Sequence, residues 1–154
     1  KFDADRIQLQ TESQAGLIGF LETSVESGRY LIRMSVGTST NSLQFVFGGG
    51  RERDLTAHLL TLDPTGPGRI HRLPGGTMIQ DAPAVTSGVF DRSRLVEILV
   101  TGTQVSARID GTPVTTTAIA ELVPGRIGLI APLTRPAPGP RLDVRNMRIL
   151  MLPE

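Results

Sequence analysis

Cysteine and tryptophan are both absent from this chain of 154 residues, and tyrosine occurs once, at Tyr30. The lack of cysteine excludes a disulfide framework, a thiolate metal site and a cysteine nucleophile. Aromatic rings are scarce, with five phenylalanines beside the single tyrosine. This scarcity weighs against tight sugar binding and favours protein contacts, because sugar sites usually stack a ring of the ligand on an aromatic face.

Long apolar runs and clustered charges are also missing. No apolar run approaches the ~18 residues that a membrane-spanning helix needs. The net charge is +1 and the basic residues do not cluster, so nucleic acid is not an expected partner. The two histidines, His58 and His71, belong to no His/Asp/Glu group with metal spacing, so we expect neither a metal nor a cofactor.

The length predicts a single domain over residues 1–154. The chain starts at Lys1 rather than at Met, and we therefore expect a fragment or a processed part of a longer precursor. A signal, a membrane anchor or another domain upstream would fit this expectation.

The strongest structural signal runs from Arg94 to Val114. Leu95–Val100 is a short aliphatic run typical of a strand, and Gly102 supplies the turn after it. Apolar and polar residues then alternate over Val105–Ile109, and Asp110-Gly111 is a strong hairpin signal. This stretch predicts an antiparallel meander of three strands.

Further strands are predicted wherever alternating segments lie between turn residues, and no segment has a helical period. These segments cover residues 7–10, 15–21, 29–36, 41–47, 55–62, 126–131 and 141–152. About ten short strands at regular spacing indicate an all-β antiparallel sandwich or barrel. In the last strand, strict alternation predicts that Val144, Asn146 and Arg148 share a face. The triple glycine at Gly48–Gly50 indicates a flexible loop or a bulge.

The segment from Pro64 to Gly88 is rich in glycine and proline, with short apolar pieces only at 69–73 and 77–80. A loop of this length in a compact domain is usually functional, or else contains short strands.

Four segments together resemble a known family. They are Phe90–Arg94, Ile109–Val114, Val123–Leu129 and Asp143–Ile149. Their order and residue types resemble the concanavalin-A-like jelly-roll domains, and specifically the 3-keto-disaccharide hydrolase-like family of bacterial, mostly extracytoplasmic proteins. The resemblance implies an antiparallel two-sheet jelly-roll sandwich, an extracytoplasmic location, and hydrolysis of 3-keto-glycosides or related saccharides.

The chain departs from the family at positions that the resemblance assigns to a cleft. His58 and Leu60 stand where the family has charged and amide side chains, and Leu31 replaces a carboxylate. Ile130 replaces an amide, and the family's nearby imidazole is missing. We therefore expect no catalytic residue.

Candidate binding residues are Arg33, Gln44, His58 and His71. His58 has the residue type of a general base or is a half-buried structural histidine. We expect it near Arg33 and Gln44, which either hydrogen-bond sugar hydroxyls or a carboxylate or form the solvated row of a sheet. His71 is either a ligand contact or a solvated residue of the long loop.

Three functions follow from these observations. The first is a non-catalytic module that binds a glycan or a protein partner, through its concave face and the 64–88 loop, within a larger extracytoplasmic protein or assembly. The second is an active sugar hydrolase. The third is a purely structural accessory subunit. The departures at the cleft positions favour the first and third.

Overall fold

A computed structural model describes residues 2–10, 17–25, 29–38, 43–49, 57–62, 69–73, 77–81, 93–119, 125–131 and 141–153. These residues form twelve strands and no helix. The strands are β1 (Phe2–Gln10), β2 (Leu17–Val25), β3 (Arg29–Thr38), β4 (Leu43–Gly49), β5 (Ala57–Leu62), β6 (Arg69–Leu73), β7 (Thr77–Asp81), β8 (Arg94–Thr101), β9 (Gln104–Ile109), β10 (Thr112–Ala118), β11 (Gly125–Ala131) and β12 (Arg141–Met151).

The strands form two six-stranded antiparallel sheets. Sheet A has the order β1-β12-β3-β8-β9-β10, and sheet B has the order β2-β11-β4-β5-β6-β7. Consecutive strands β8 to β10 build half of sheet A, and consecutive strands β4 to β7 build most of sheet B. The predicted all-β two-sheet sandwich is confirmed.

The core lies between the sheets and consists mainly of aliphatic side chains. In β3, every second side chain from Tyr30 to Val36 is buried, and β8 does the same from Val96 to Val100. Phe45 and Phe47 of β4 enter the core from sheet B. Each fully buried aliphatic or phenyl side chain contributes about 1.5–3 kcal/mol relative to an exposed one. One face of each sheet is therefore committed to the core.

The predicted meander is confirmed in strands β8, β9 and β10. Gly102 has φ +58 as the first residue of the β8–β9 turn, which fits type II′. Asp110 and Gly111 have φ +49 and +80, as a type I′ turn requires at both central residues.

The Asp110 carboxylate also ties the second hairpin to the start of β8. Its Oδ1 accepts a hydrogen bond from the Leu95 backbone N–H at 2.9 Å, and its Oδ2 accepts one from Arg94 Nη1 at 2.7 Å. The Asp110 backbone N–H donates in turn to the Leu95 carbonyl at 2.8 Å. Asp110 thus supplies both the positive φ that the turn requires and the last hydrogen bonds between the β8 and β9 strands.

Strands β6 and β7 lie inside the segment predicted as a long loop. Residues 69–73 and 77–81 pair with each other, and β6 also pairs with β5. The interpretation of short strands within the segment is confirmed there, and residues 64–68, 74–76 and 82–88 lie outside the described residues. Similarly, β1 starts at Phe2 rather than at Ile7, because it pairs with β12 along its whole length.

A bulge in β12 corrects the predicted alternation. The register with β3 shifts between Arg145 and Arg148, and Asn146 has φ +52. The extra residue puts Met147 on the core face with Val144, whereas Arg148 is exposed on the opposite face. The prediction that Val144 and Arg148 share a face is therefore wrong.

A second irregularity lies at the end of β4. Gly48 and Gly49 belong to this strand, beside a register shift between β4 and β11. The structure supports a bulge for this part of the triple glycine, and Gly50 lies outside the described residues.

Replacing Asp110 by alanine removes two acceptors and forces a residue with low αL preference into a positive φ. We expect the free energy of unfolding to fall by about 1–2 kcal/mol. Asp110→Asn keeps the αL preference and should lose less. Urea denaturation measures both. The matched control is Asp143→Ala, which removes an acceptor of Arg145 at a residue of β12 with no positive φ and should lower stability less than Asp110→Ala does. If Asp110→Ala and Asp143→Ala lower the free energy of unfolding equally, Asp110 does not have the stabilising role in the hairpin that we assign to it.

Candidate functional site

The four predicted binding residues lie in three different places. Arg33 is on the outer face of sheet A, while Gln44 and His71 are on the outer face of sheet B. His58 is on the inner face of sheet B, among the core residues. The expectation that His58, Arg33 and Gln44 are neighbours is wrong, because β3 belongs to the sheet opposite β4 and β5.

His58 is a core residue. Only 3% of it is exposed, and its ring stacks on Phe47 with the ring centroids 5.6 Å apart and the planes 16° from parallel. Its Nδ1 is buried and makes no hydrogen bond. Burial, and secondarily the positive charge of Arg72 opposite it in the register, lowers the pKa of His58. The imidazole is therefore neutral at pH 7 and directed away from solvent.

The alternation of side chains in β5 was predicted correctly. The direction in which its two faces point was not. Leu60 points into the core with His58, so neither occupies the cleft position that the resemblance implied. The outward positions of β5 are Ala57, Leu59 and Thr61, of which Leu59 and Thr61 are half-buried.

Two of the predicted residues, Gln44 and His71, share the outer face of sheet B. Gln44, Thr61 and Arg69 are paired in one register row across β4, β5 and β6. His71 lies two residues beyond Arg69 on the same face, in the next row, opposite Leu59. We call Gln44, Thr61, Arg69 and His71 the polar cluster. The row from Gln44 to Arg69 crosses two strand spacings, about 10 Å.

His71 carries an unsatisfied polar atom within this cluster. The residue is half-buried, and its Nδ1 is buried without a hydrogen-bond partner. A buried polar atom left unpaired costs about 1–3 kcal/mol.

Sequence reasoning did not single out Thr61 and Arg69. The signal was present, since Thr61 alternates with Leu60 and Leu62, and Arg69 precedes Ile70 in a short apolar piece. What was missing was the hairpin pairing of β5 with β6, which places Thr61 opposite Arg69.

Arg33 faces a second surface, a shallow groove of about 240 Å³ on the outer face of sheet A. The groove is lined by Leu31, Glu97, Leu99, Ser106 and Arg108. Arg33 Nε lies 3.3 Å from Glu97 Oε1 at its side. Leu31, one of the positions that the resemblance assigns to a cleft, lines this groove on sheet A. Ile130, another of those positions, is paired with Gln44 in sheet B.

Within the described residues, no group of three or more His, Asp or Glu side chains is arranged to hold a metal ion. No helix long and apolar enough to cross a membrane occurs in this part of the chain either. Phe90, which stands where the family has tryptophan, lies outside the described residues.

Comparison with protein-family models and with the sequences of curated proteins finds no match. Solved structures do match. The carbohydrate-binding module CBM66 from Bacillus subtilis superimposes with a TM-score of 0.66 at 12% identity, over 97% of this chain and 91% of that one. A protein of unknown function with a galectin-like fold, also from Bacillus subtilis, gives 0.69 at 12% identity, over 94% and 81%. The β-glucanase of Bacillus licheniformis gives 0.64 at 11% identity, over 96% and 78%.

The fold is a concanavalin-A-like jelly roll. At these identities the similarity concerns the fold alone, and it agrees with the two six-stranded antiparallel sheets described above. The jelly-roll sandwich implied by the resemblance is therefore confirmed.

The burial of His58 predicts an acid-sensitive stability. In the unfolded chain its imidazole binds a proton below pH about 6.5, whereas the folded protein takes it up only at a lower pH. The unfolded state therefore binds more protons in that interval. We therefore expect the titration of His58 to leave the free energy of unfolding unchanged above pH about 6.5. As the pH falls below that value, the free energy of unfolding should decrease.

Urea denaturation at pH 8 and at pH 5.5 measures this effect. His58→Phe keeps a ring against Phe47, so it should lose less stability between the two pH values than the original protein does. Phe45→Leu, a core substitution paired with Leu60 rather than with His58, is the control: it should be less stable at both pH values and keep the full pH dependence. If His58→Phe and the original protein lose the same amount, the titration of His58 is not the cause.

Proposed function

We propose that this protein is a non-catalytic module that binds a glycan on the outer face of sheet B, through the polar cluster. The observation that carries the proposal is the register row of Gln44, Thr61 and Arg69 across three neighbouring strands. His71 adds an imidazole in the neighbouring register row on the same face.

The chemistry of the cluster suits sugar hydroxyls. An amide donates and accepts, a hydroxyl does both, a guanidinium donates only, and an imidazole ring carries two polar nitrogens. A hydroxyl also donates and accepts, so several hydroxyls spaced along a saccharide can be satisfied by this mixture. The backbone of a three-stranded hairpin array holds the four side chains at fixed spacing, which reduces the entropy lost on binding.

The fold comparisons support this proposal. CBM66 is named a carbohydrate-binding module. The κ-carrageenase of Pseudoalteromonas carrageenovora was solved in complex with an oligotetrasaccharide of κ-carrageenan, and it gives a TM-score of 0.60 at 13% identity over 87% of this chain and 67% of that one. We extend saccharide binding from these proteins to this chain, and with it the extracytoplasmic location that the resemblance implies.

Hydrolysis of 3-keto-glycosides is the second candidate, and it rests on the resemblance to the 3-keto-disaccharide hydrolase-like family. Binding without catalysis is favoured by the position of His58. This residue was the candidate general base, and it lies 3% exposed in the core with its pKa lowered. Incubation with 3-keto-glycosides and assay of the released sugar tests this candidate, and turnover would overturn the non-catalytic assignment.

A glycan array probed with the protein should identify a saccharide, whose affinity calorimetry then measures. We expect Gln44→Ala and Arg69→Ala each to weaken that binding about tenfold, since a lost hydrogen bond to an otherwise satisfied group costs about 1–3 kcal/mol. Arg108→Gln on sheet A is the matched control and should leave the affinity unchanged. The proposal fails if the array shows no binding, or if the bound saccharide is insensitive to both sheet B variants.

A further inference from the structure

The outer face of sheet A carries a second, chemically different surface. Leu150, Leu31 and Leu99 are paired in one register row across β12, β3 and β8, and Ser106 of β9 continues that row. Leu150 is 37% exposed, and Leu31 and Leu99 are half-buried. We call these three residues the leucine row. Leu95, also half-buried, lies on the same face of β8.

A row of charged residues lies directly beside the leucine row. Arg148, Arg33, Glu97 and Arg108 are paired in register across β12, β3, β8 and β9. We call this the arginine row. The two rows are separated by two residues along each strand, about 7 Å. The groove lies where they adjoin, with Leu31 and Leu99 on one side and Glu97 and Arg108 on the other.

Arginines outnumber carboxylates on this face, although the chain carries a net charge of only +1. The register places residues of both kinds from β1 on the outer face of sheet A, because Arg6 is paired with Arg145 and Asp3 is paired with Arg148. The others include Arg29, Arg33, Arg108, Arg145 and Arg148, with Glu97 and Asp143. Glu97 Oε1 lies 3.3 Å from Arg33 Nε, and Asp143 accepts a hydrogen bond from Arg145 at 3.1 Å. The face therefore has an excess of positive charge, with part of it paired to carboxylates.

A partly exposed aliphatic strip beside a basic strip is not what a solvated sheet face requires. Contiguous apolar patches rimmed by polar groups mark interaction surfaces in soluble proteins. Arginine is enriched in protein interfaces, where its planar fork pairs with carboxylates. Aliphatic side chains of a protein fit a leucine row better than a saccharide does.

We propose that the outer face of sheet A docks an acidic, amphipathic segment of a partner protein. The aliphatic side chains of that segment lie on the leucine row, and its aspartates and glutamates lie on the arginine row. This surface is separate from the polar cluster, which occupies the other sheet, and the proposal does not depend on glycan binding.

A displayed library of random 12-residue peptides, selected on the immobilised protein, provides the probe. We expect enriched peptides that combine Asp or Glu with Leu, Ile or Phe. Fluorescence anisotropy with the most enriched peptide should show an affinity at least tenfold lower for Arg108→Glu and for Leu99→Ser. It should also show weaker binding at higher salt, because charge attraction at an exposed surface is screened. Thr61→Ala, on the opposite face of the sandwich, is the matched control and should bind the peptide with unchanged affinity.

Arg108→Gln is a second variant, which removes the positive charge at this exposed position without introducing a negative one. Thermal unfolding checks that each variant is folded. The proposal is overturned if the enriched peptides lack acidic residues, or if folded Arg108→Glu and Leu99→Ser bind as the original protein does. It is also overturned if no peptide is enriched while polygalacturonate or dextran sulfate binds and is lost in Arg108→Glu. That last result would assign the face to an anionic polysaccharide.

Discussion

The burial of alternate side chains between the two sheets is the constraint on which everything else in this molecule depends. Once Ile32 and Ile98 point inward, the residues on either side of them must point outward, because the side-chain period of a strand is two. The same holds for Leu60 and Ile70 in sheet B. Each sheet therefore has a single face left for function, and the identity of the core residues decides which polar side chains reach that face.

Irregularities in the strands matter because they change this assignment locally. Asn146 adopts φ +52 at the bulge of β12, and from there on the strand exposes Arg148 instead of burying it. Without the extra residue, the arginine row would lack its β12 member and a guanidinium would be directed at the core. A bulge at Val114 acts in the same way in β10, where both Val114 and Thr115 are buried. The surface chemistry of sheet A thus depends on backbone features as well as on residue types.

The sequence was sufficient for the parts of the fold that are local. Alternation located β3, and the Asp110-Gly111 pair located the hairpin between β9 and β10. It could not assign strands to sheets, since β3 and β4 are consecutive in the chain and yet belong to opposite sheets. This is why Arg33 and Gln44, expected to be neighbours, lie on opposite sides of the sandwich.

For a related reason, the sequence could not predict that His58 points into the core. A histidine flanked by alternating leucines satisfies either face equally well, and only the position of Phe47 across the β4–β5 pair decides it. Two of the four residues in the polar cluster, Gln44 and His71, were candidate binding residues from the sequence. The other two, Thr61 and Arg69, are brought together by the pairing of β5 with β6. Strand β6 was hard to recognise because it lies in a segment rich in glycine and proline.

The two outer faces differ in how the chain assembles them. The polar cluster comes from consecutive strands joined as hairpins, β4, β5 and β6, so its members are close in sequence. The leucine and arginine rows combine β12, β3 and β8, which are distant in sequence and meet only when the sandwich is complete. The core lies between the two surfaces, and they share no side chain. Substitutions on one face should therefore be energetically independent of substitutions on the other. That independence would let a single sandwich carry the proposed saccharide site on one face and the proposed protein-docking surface on the other.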